Sequence, residues 1–237
     1  MRGGAYGDVS GNDGGKMKID IPDEVKDIVY TTPLDSEKMK YYTEAFAWLA
    51  LQYCFDEYKN LQLSDAPDLQ DINNMLGIEV TEVAIPSTKI VDGNWLHYRK
   101  TGEEKYKIKA ERFGGEFDHI SCSYPPITSK DELECIEETL KKKIMKIPSY
   151  RNKGFHTIGL IFVLNEMPLP DTAFRWGDVV KKVQSQSSEK FDMLFFLYSN
   201  ALSYCKCDTY KVEYITLGGQ VRDELSRYSR YIAENLK

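Results

Sequence analysis

At 237 residues, with 42% hydrophobic and 29% charged side chains, the chain has the composition of a folded globular protein and enough length for one sizeable core. Its net charge of −6 excludes a surface coated in positive potential, so any affinity for polyanions has to come from a local patch. No apolar run reaches the roughly 18 residues that a membrane helix needs, and the Gly-rich start from Met1 to Gly15 has no apolar signal segment, so a cytoplasmic protein with no membrane partner is expected.

Residues 1–16 read as a flexible Gly-rich tail and residues 17–237 as a single domain. From Ser36 to about Asn60, Tyr42, Phe46, Leu49 and Tyr53 recur at helical spacing with no Pro or Gly, and Ser36 is the expected N-cap. After a polar stretch, Gly77 to Val83 reads as a strand with Ile78 and Val80 on one side, and Pro86 ends it. Residues 86 to 124 give only short β-like pieces without a firm period.

Pro125-Pro126 marks a break, after which Ser129 or Asp131 caps a helix with Leu133, Ile136, Leu140, Ile144 and Ile147 along one stripe, stopped by Pro148. Thr157 to Leu164 reads as a buried central strand, Trp176 to Gln186 as a helix, and Phe191–Leu197 and Tyr210–Leu217 as two more strands. A helix from Asp223 to Leu236 closes the chain. The order implies an α/β fold, a mixed central sheet flanked by helices.

Several chemistries find no support. The five cysteines, at 54, 122, 135, 205 and 207, lack the paired CxxC spacing of a zinc site, and an odd scattered set suits a reducing compartment. Cys205 and Cys207 would share a strand face but have no third ligand near them in sequence. The three histidines are too dispersed for a ligand set, and no phosphate-binding P-loop or nucleophile elbow is present.

Two carboxylates stand out. Asp68 follows Pro67 where the chain leaves a loop, and Glu79 lies eleven residues later inside an otherwise apolar strand. Burying an isolated carboxylate costs several kcal/mol unless it is paired or bound to a cation, so Glu79 needs a reason to be there. A hairpin between the two positions would bring both side chains together, as a Mg2+ site requires. The bland alternatives are that Asp68 is a turn residue and that Lys141 to Lys146 is a solvated helix face.

Ala66-Pro67-Asp68 followed by Gly77-Ile78-Glu79-Val80-Thr81 resembles the PD-(D/E)XK nuclease superfamily, the restriction-endonuclease-like fold. The resemblance covers roughly residues 36–164 and implies an αβββαβ core, here with additional C-terminal strands and helices. It further implies a nuclease dependent on Mg2+ or Mn2+, with DNA ahead of RNA as substrate, and Asp68, Glu79 and the Val80 carbonyl as metal ligands. The family's lysine two residues after the acid is replaced by Thr81. In such families the lysine can migrate to the next helix, where Lys143 is the first candidate and Lys146 the second, with Tyr150 following. Glu44 and Glu57 are the candidates for the acid the family often carries in its first helix. The rival expectation, motivated by Thr81, is a catalytically inactive nuclease-like domain that binds nucleic acid or a protein partner. A third is an interaction protein in which Glu79 pairs with a buried Lys or Arg. A homodimer stays open, and Trp95, Tyr98, Arg99 and Lys100 either stack on bases or cover a sheet edge.

Overall fold

The computed structural model describes residues 19–26, 28–30, 34–117, 122–164, 167–198 and 200–235; the expected tail over residues 1–16 lies outside them. Nine strands and eight α-helices are present among the described residues. The strands are β1 (Gln62–Leu63), β2 (Leu69–Asp71), β3 (Leu76–Glu82), β4 (Glu116–Phe117), β5 (Cys122–Ser123), β6 (Thr157–Val163), β7 (Met193–Tyr198), β8 (Ala201–Lys206) and β9 (Val212–Thr216). The helices are α1 (Asp23–Lys26), α2 (Ser36–Cys54), α3 (Pro86–Thr101), α4 (Glu104–Glu111), α5 (Ser129–Ile144), α6 (Ile147–Asn152), α7 (Pro170–Ser185) and α8 (Gly219–Asn235).

Seven strands form a mixed sheet in the order β1-β2-β3-β6-β7-β8-β9, and β4 and β5 make a separate hairpin. The β1, β2 and β3 strands run as an antiparallel meander, β6 and β7 lie parallel to β3, and β8 and β9 return antiparallel. Parallel neighbours need crossovers, and α5 supplies one between β3 and β6 while α7 supplies the next between β6 and β7.

Period-two alternation divides the core between the two faces. Ile78 and Val80 of β3, Ile161 and Val163 of β6, and Phe195 and Leu197 of β7 meet Leu49 and Ala50 of α2 and Leu225 of α8. Ile158, Leu160 and Phe162 of β6 meet Ile136, Leu140 and Ile144 of α5 and Trp176 and Val180 of α7 on the other. Each fully buried large apolar side chain contributes about 1.5–3 kcal/mol, so these layers fix the three-tiered architecture. Glu79 falls on the α5 side.

The helix starts follow capping chemistry. Asp35, not Ser36, caps α2, its carboxylate accepting from the Lys38 N–H at 2.8 Å. Thr128 caps α5 through a capping box with Asp131. Pro148 does not stop α5, which ends at Ile144; it sits in the first turn of α6, where its missing N–H is tolerated. The chain is thereby re-aimed, with Lys146 at the junction and Tyr150 turned inward.

Residues 86 to 124, which have no firm period in sequence, hold two helices, α3 opened by Pro86 and then α4, with the short β-like pieces confined to β4 and β5. Their apolar stripe is thin because the two helices pack mainly on each other; only Val91 and Asn94 of α3 and Ala110 of α4 are buried. The β8 strand pairs with β7 from Tyr198 opposite Ala201 and was not separable in sequence from its neighbours. All five cysteines are free thiols.

The approach of the Pro67 loop to β3 depends on Gly77. A Cβ at this position would stand 2.4 Å from Pro67 Cγ and 3.3 Å from a Phe155 ring carbon. A proline ring cannot swing aside, so Gly77→Ala is expected to lower stability by about 1–3 kcal/mol, read as a shift of the urea midpoint at unchanged m.

Candidate active site

The Leu69–Ile78 pair, extended one step, puts Asp68 opposite Glu79 across β2 and β3. Asp68 Oδ2 accepts the Val80 N–H at 2.7 Å, taking the place of a ladder partner just where β2 begins. The carbonyl of a strand residue points to the same side as its N–H, so the Val80 carbonyl faces this same edge.

Glu79 is 1% exposed, and three donors meet its carboxylate. Lys143 Nζ and Lys146 Nζ each lie 2.6 Å from Oε1, and the Tyr150 hydroxyl donates to Oε2. Lys143 comes from the last turn of α5, directly before the buried Ile144, and its side chain is 20% exposed; that of Lys146, at the α5–α6 junction, is 50% exposed. The apolar stripe of α5 therefore carries Lys143 onto the sheet, while its stem runs along the helix edge.

Both lysines, Asp68, Glu79, Glu44, Val80 and Thr81 line one cleft of about 420 Å³, which Lys40 and Lys89 also border. Glu44, on α2, is 8% exposed and has Lys40 Nζ at 3.5 Å, one turn earlier. Glu57 lies elsewhere, on the 3-10 turn Asp56–Tyr58 at the far end of α2, near Tyr58 and Tyr204. Lys40 was missed in sequence, although its i,i+4 spacing to Glu44 was a usable signal. Lys153 was missed too; its ammonium donates to the Ala66 carbonyl at 2.7 Å and ties the Pro67 loop down.

The electrostatics of the three carboxylates diverge. Burial works against charge on Glu79, but the hydrogen bonds from Lys143, Lys146 and Tyr150 outweigh it and hold the group below its ordinary value. Asp68 is pushed up, first by burial and then by the charge of Glu79, against the opposing pull of the Val80 N–H. Glu44 is pushed up to about 6 by burial and then by Asp68, with Lys40 offsetting part of the rise. The cleft holds a buried ionised carboxylate flanked by two that resist ionisation.

The fit of a divalent cation follows from this donor set. Among the described residues, no three His, Cys, Asp or Glu side chains converge as a cage. Mg2+ does not ask for one, since it usually takes one or two carboxylates, waters and substrate phosphate. Asp68, Glu79 and the Val80 carbonyl are all oxygen donors, and Asp68 and Glu44 are raised first by burial and only then by neighbouring carboxylate charge. The residues present suit Mg2+ or Mn2+.

No family model matches the chain, and no curated protein or solved structure matches it. Among the described residues no helix is long and apolar enough to cross a membrane.

Because the folded-state pKa of Glu44 lies above its unfolded value, the folded protein binds more protons than the unfolded chain between about 4.5 and 6. Stability from this group is present below that window and is lost as pH rises through it. In EDTA, Glu44→Gln is expected to be more stable than the parent by about 1 kcal/mol at pH 7, with the difference vanishing near pH 4. Paired urea titrations across pH 4–8 measure it; a difference that grows toward low pH has the wrong sign.

Proposed function

We propose that this protein is a Mg2+- or Mn2+-dependent nuclease that hydrolyses phosphodiester bonds of nucleic acid, with DNA the first substrate to test, built on a restriction-endonuclease-like core. The observation that carries the reading is Lys143 Nζ at 2.6 Å from Glu79, delivered from α5, the crossover helix that follows the α3–α4 arm, while Thr81 stands two residues after the acid. It is supported by Asp68 facing Glu79 across β2 and β3, and by the run α2, β1, β2, β3, α5, β6 that remains when the inserted α3, α4, β4 and β5 and the short α6 are set aside, with β6 parallel to β3. That run agrees with the element order of the PD-(D/E)XK nucleases.

In this reading Asp68, Glu79 and the Val80 carbonyl hold the divalent cation, which when present supplies Lewis acidity and an attacking water of lowered pKa. Lys143, hydrogen-bonded to Glu79, is directed at the non-bridging phosphate oxygens, where negative charge builds during attack. Tyr150 holds Oε2 so that Oε1 stays turned toward the cleft. Glu44, with its pKa near neutrality, is suited to exchange a proton with water in the cleft. Lys146 shares Glu79 Oε1 with Lys143 and its side chain is the more exposed of the two, so it is the ammonium better placed to turn toward a phosphate in the cleft.

A second reading has its own observation. Three donors already occupy Glu79, which is what a purely structural buried ion pair needs. The protein is then a catalytically silent nuclease-like domain that binds nucleic acid or a protein partner.

Cleavage of a labelled DNA duplex, single strand and RNA with Mg2+ or Mn2+ separates the two. The nuclease reading expects Asp68→Asn and Glu79→Gln to abolish cutting, and Lys143→Met to slow it by about 10²–10³ with the fold intact by circular dichroism. Cutting by the parent that survives unchanged in Asp68→Asn and Glu79→Gln refutes this site. A folded parent that cuts none of the three and shows no Asp68-dependent Mn2+ binding leaves the silent domain.

A further inference from the structure

Between β3 and α5 the chain leaves the sheet for an arm that packs mainly on itself, α3 along α4 and α4 against β4. Its core is small: Val91 and Ala110 are buried, and Gly115 lies so near that a Cβ there would stand 2.8 Å from Val91 Cγ1. The rest of the arm is cationic. Residues 86–113 carry seven Lys and Arg against four Asp and Glu, in a chain whose total is −6.

Gly93 is the unexplained residue of this arm. Glycine inside a helix is less stable than alanine, and it is retained where a turn or another backbone must come close. Neither reason is met among the described residues, because none of their atoms lies within 4 Å of the place its Cβ would take. Gly93 follows Lys89 by four residues, and Leu96 and Lys100 continue the same stripe at three and four residues more. Lys89, Leu96 and Lys100 are all exposed. The stripe begins at the cleft, which Lys89 borders together with Asp68 and Glu79. It ends where Gly102, at φ 68, caps α3.

We propose that this stripe is a track for the sugar–phosphate backbone of a polynucleotide leading out of the cleft. Lys89, whose ammonium lies 2.6 Å from Glu82 Oε2 and would exchange that contact for a phosphate, and Lys100 flank the track, the bare helix at Gly93 admits the backbone against α3, and Leu96 offers an apolar contact to a sugar. From Lys89 to Lys100 the helix rises about 16 Å, a span of roughly five nucleotides at about 3.4 Å each. The helix dipole accounts for cations in the last turn of α3, but it does not account for an unhindered glycine between two lysines. One exposed leucine is too little apolar surface to anchor a helix in lipid, so a polynucleotide is the polyanion the stripe fits. The inference rests on the nucleic-acid reading of the cleft and adds to it the path and the residues that grip.

The test uses the whole chain in EDTA, with fluorescence anisotropy of a labelled 30-nucleotide DNA strand, its duplex and the matching RNA over a salt series, and with phosphatidylcholine/phosphatidylserine vesicles as the competing polyanion. At least one polynucleotide is expected to bind. Lys100→Ala should weaken that binding about threefold to tenfold and lower the salt slope by about 1. Gly93→Ala should raise the Tm of the free protein yet weaken binding about threefold or more, and Gly93→Gln should weaken it further. Gly93 variants that bind as the parent does, vesicle binding without polynucleotide binding, or no binding at all would each overturn the proposal. The two readings fail separately. A parent that binds through the stripe but never cuts with Mg2+ or Mn2+ removes the nuclease alone, and a parent that cuts while the Gly93 and Lys100 variants bind normally removes the track alone.

Discussion

The ionised Glu79 carboxylate, buried in an apolar sheet, is the constraint around which this molecule is arranged. Leaving such a charge unpaired costs several kcal/mol, comparable to much of the 5–15 kcal/mol that holds an ordinary domain folded. The strand cannot supply partners, because its neighbours on that face are Gly77 and Thr81. They come instead from α5 and α6, whose lysines and tyrosine reach across the layer interface. The α5 crossover is therefore positioned by charge at one end and by Ile136, Leu140 and Ile144 along its length.

Asp68 and Glu79 are near neighbours with opposite electrostatics, and the difference lies in what each can reach. Glu79 is hydrogen-bonded to two ammonium groups, while Asp68 accepts one backbone N–H and feels the charges of Glu79 and Glu44 against those of Lys143 and Lys146. Environments that push similar groups apart in pKa are characteristic of sites that divide ionisation between residues. A structural ion pair alone explains Glu79 and its three donors. It does not by itself explain why Asp68 and Glu44 are buried beside it, their pKa values raised despite Lys40 and the Val80 N–H.

The residues legible in sequence were those whose reason is local. Glu79 announced itself as a charge in an apolar strand, and the helices α2, α5 and α7 by their periodicity, although α2 stops at Cys54 short of Asn60 and α7 starts at Pro170 ahead of Trp176. Asp68 was legible only through its spacing to Glu79, because the register that pairs them is set by the Leu69–Ile78 ladder. Lys153 was invisible for a similar reason, since its partner, the Ala66 carbonyl, is 87 residues away and carries no side-chain signal. The α3–α4 arm has no legible period because its helices cover each other and need little apolar surface, so the pattern that marks a sheet-packed helix is nearly absent. Glu57 illustrates the opposite error: nearness in sequence to the Asp68 loop says nothing once α2 ends at Cys54 and the chain turns away.

The provenance of the site's cation has a consequence for how the site forms. A lysine at position 81 would travel with β3 and be present whenever the strand is. Lys143 instead arrives only when α5 docks, because the same turn that presents its ammonium buries Ile144. Docking without Glu79 would leave Lys143 near a face with no anion, and β3 without docking would leave Glu79 exposed to water and free to ionise at its ordinary pKa. The apolar stripe and the ion pair thus reinforce each other in one cooperative step, and the cleft acquires its cation, its depressed Glu79 and its shape together.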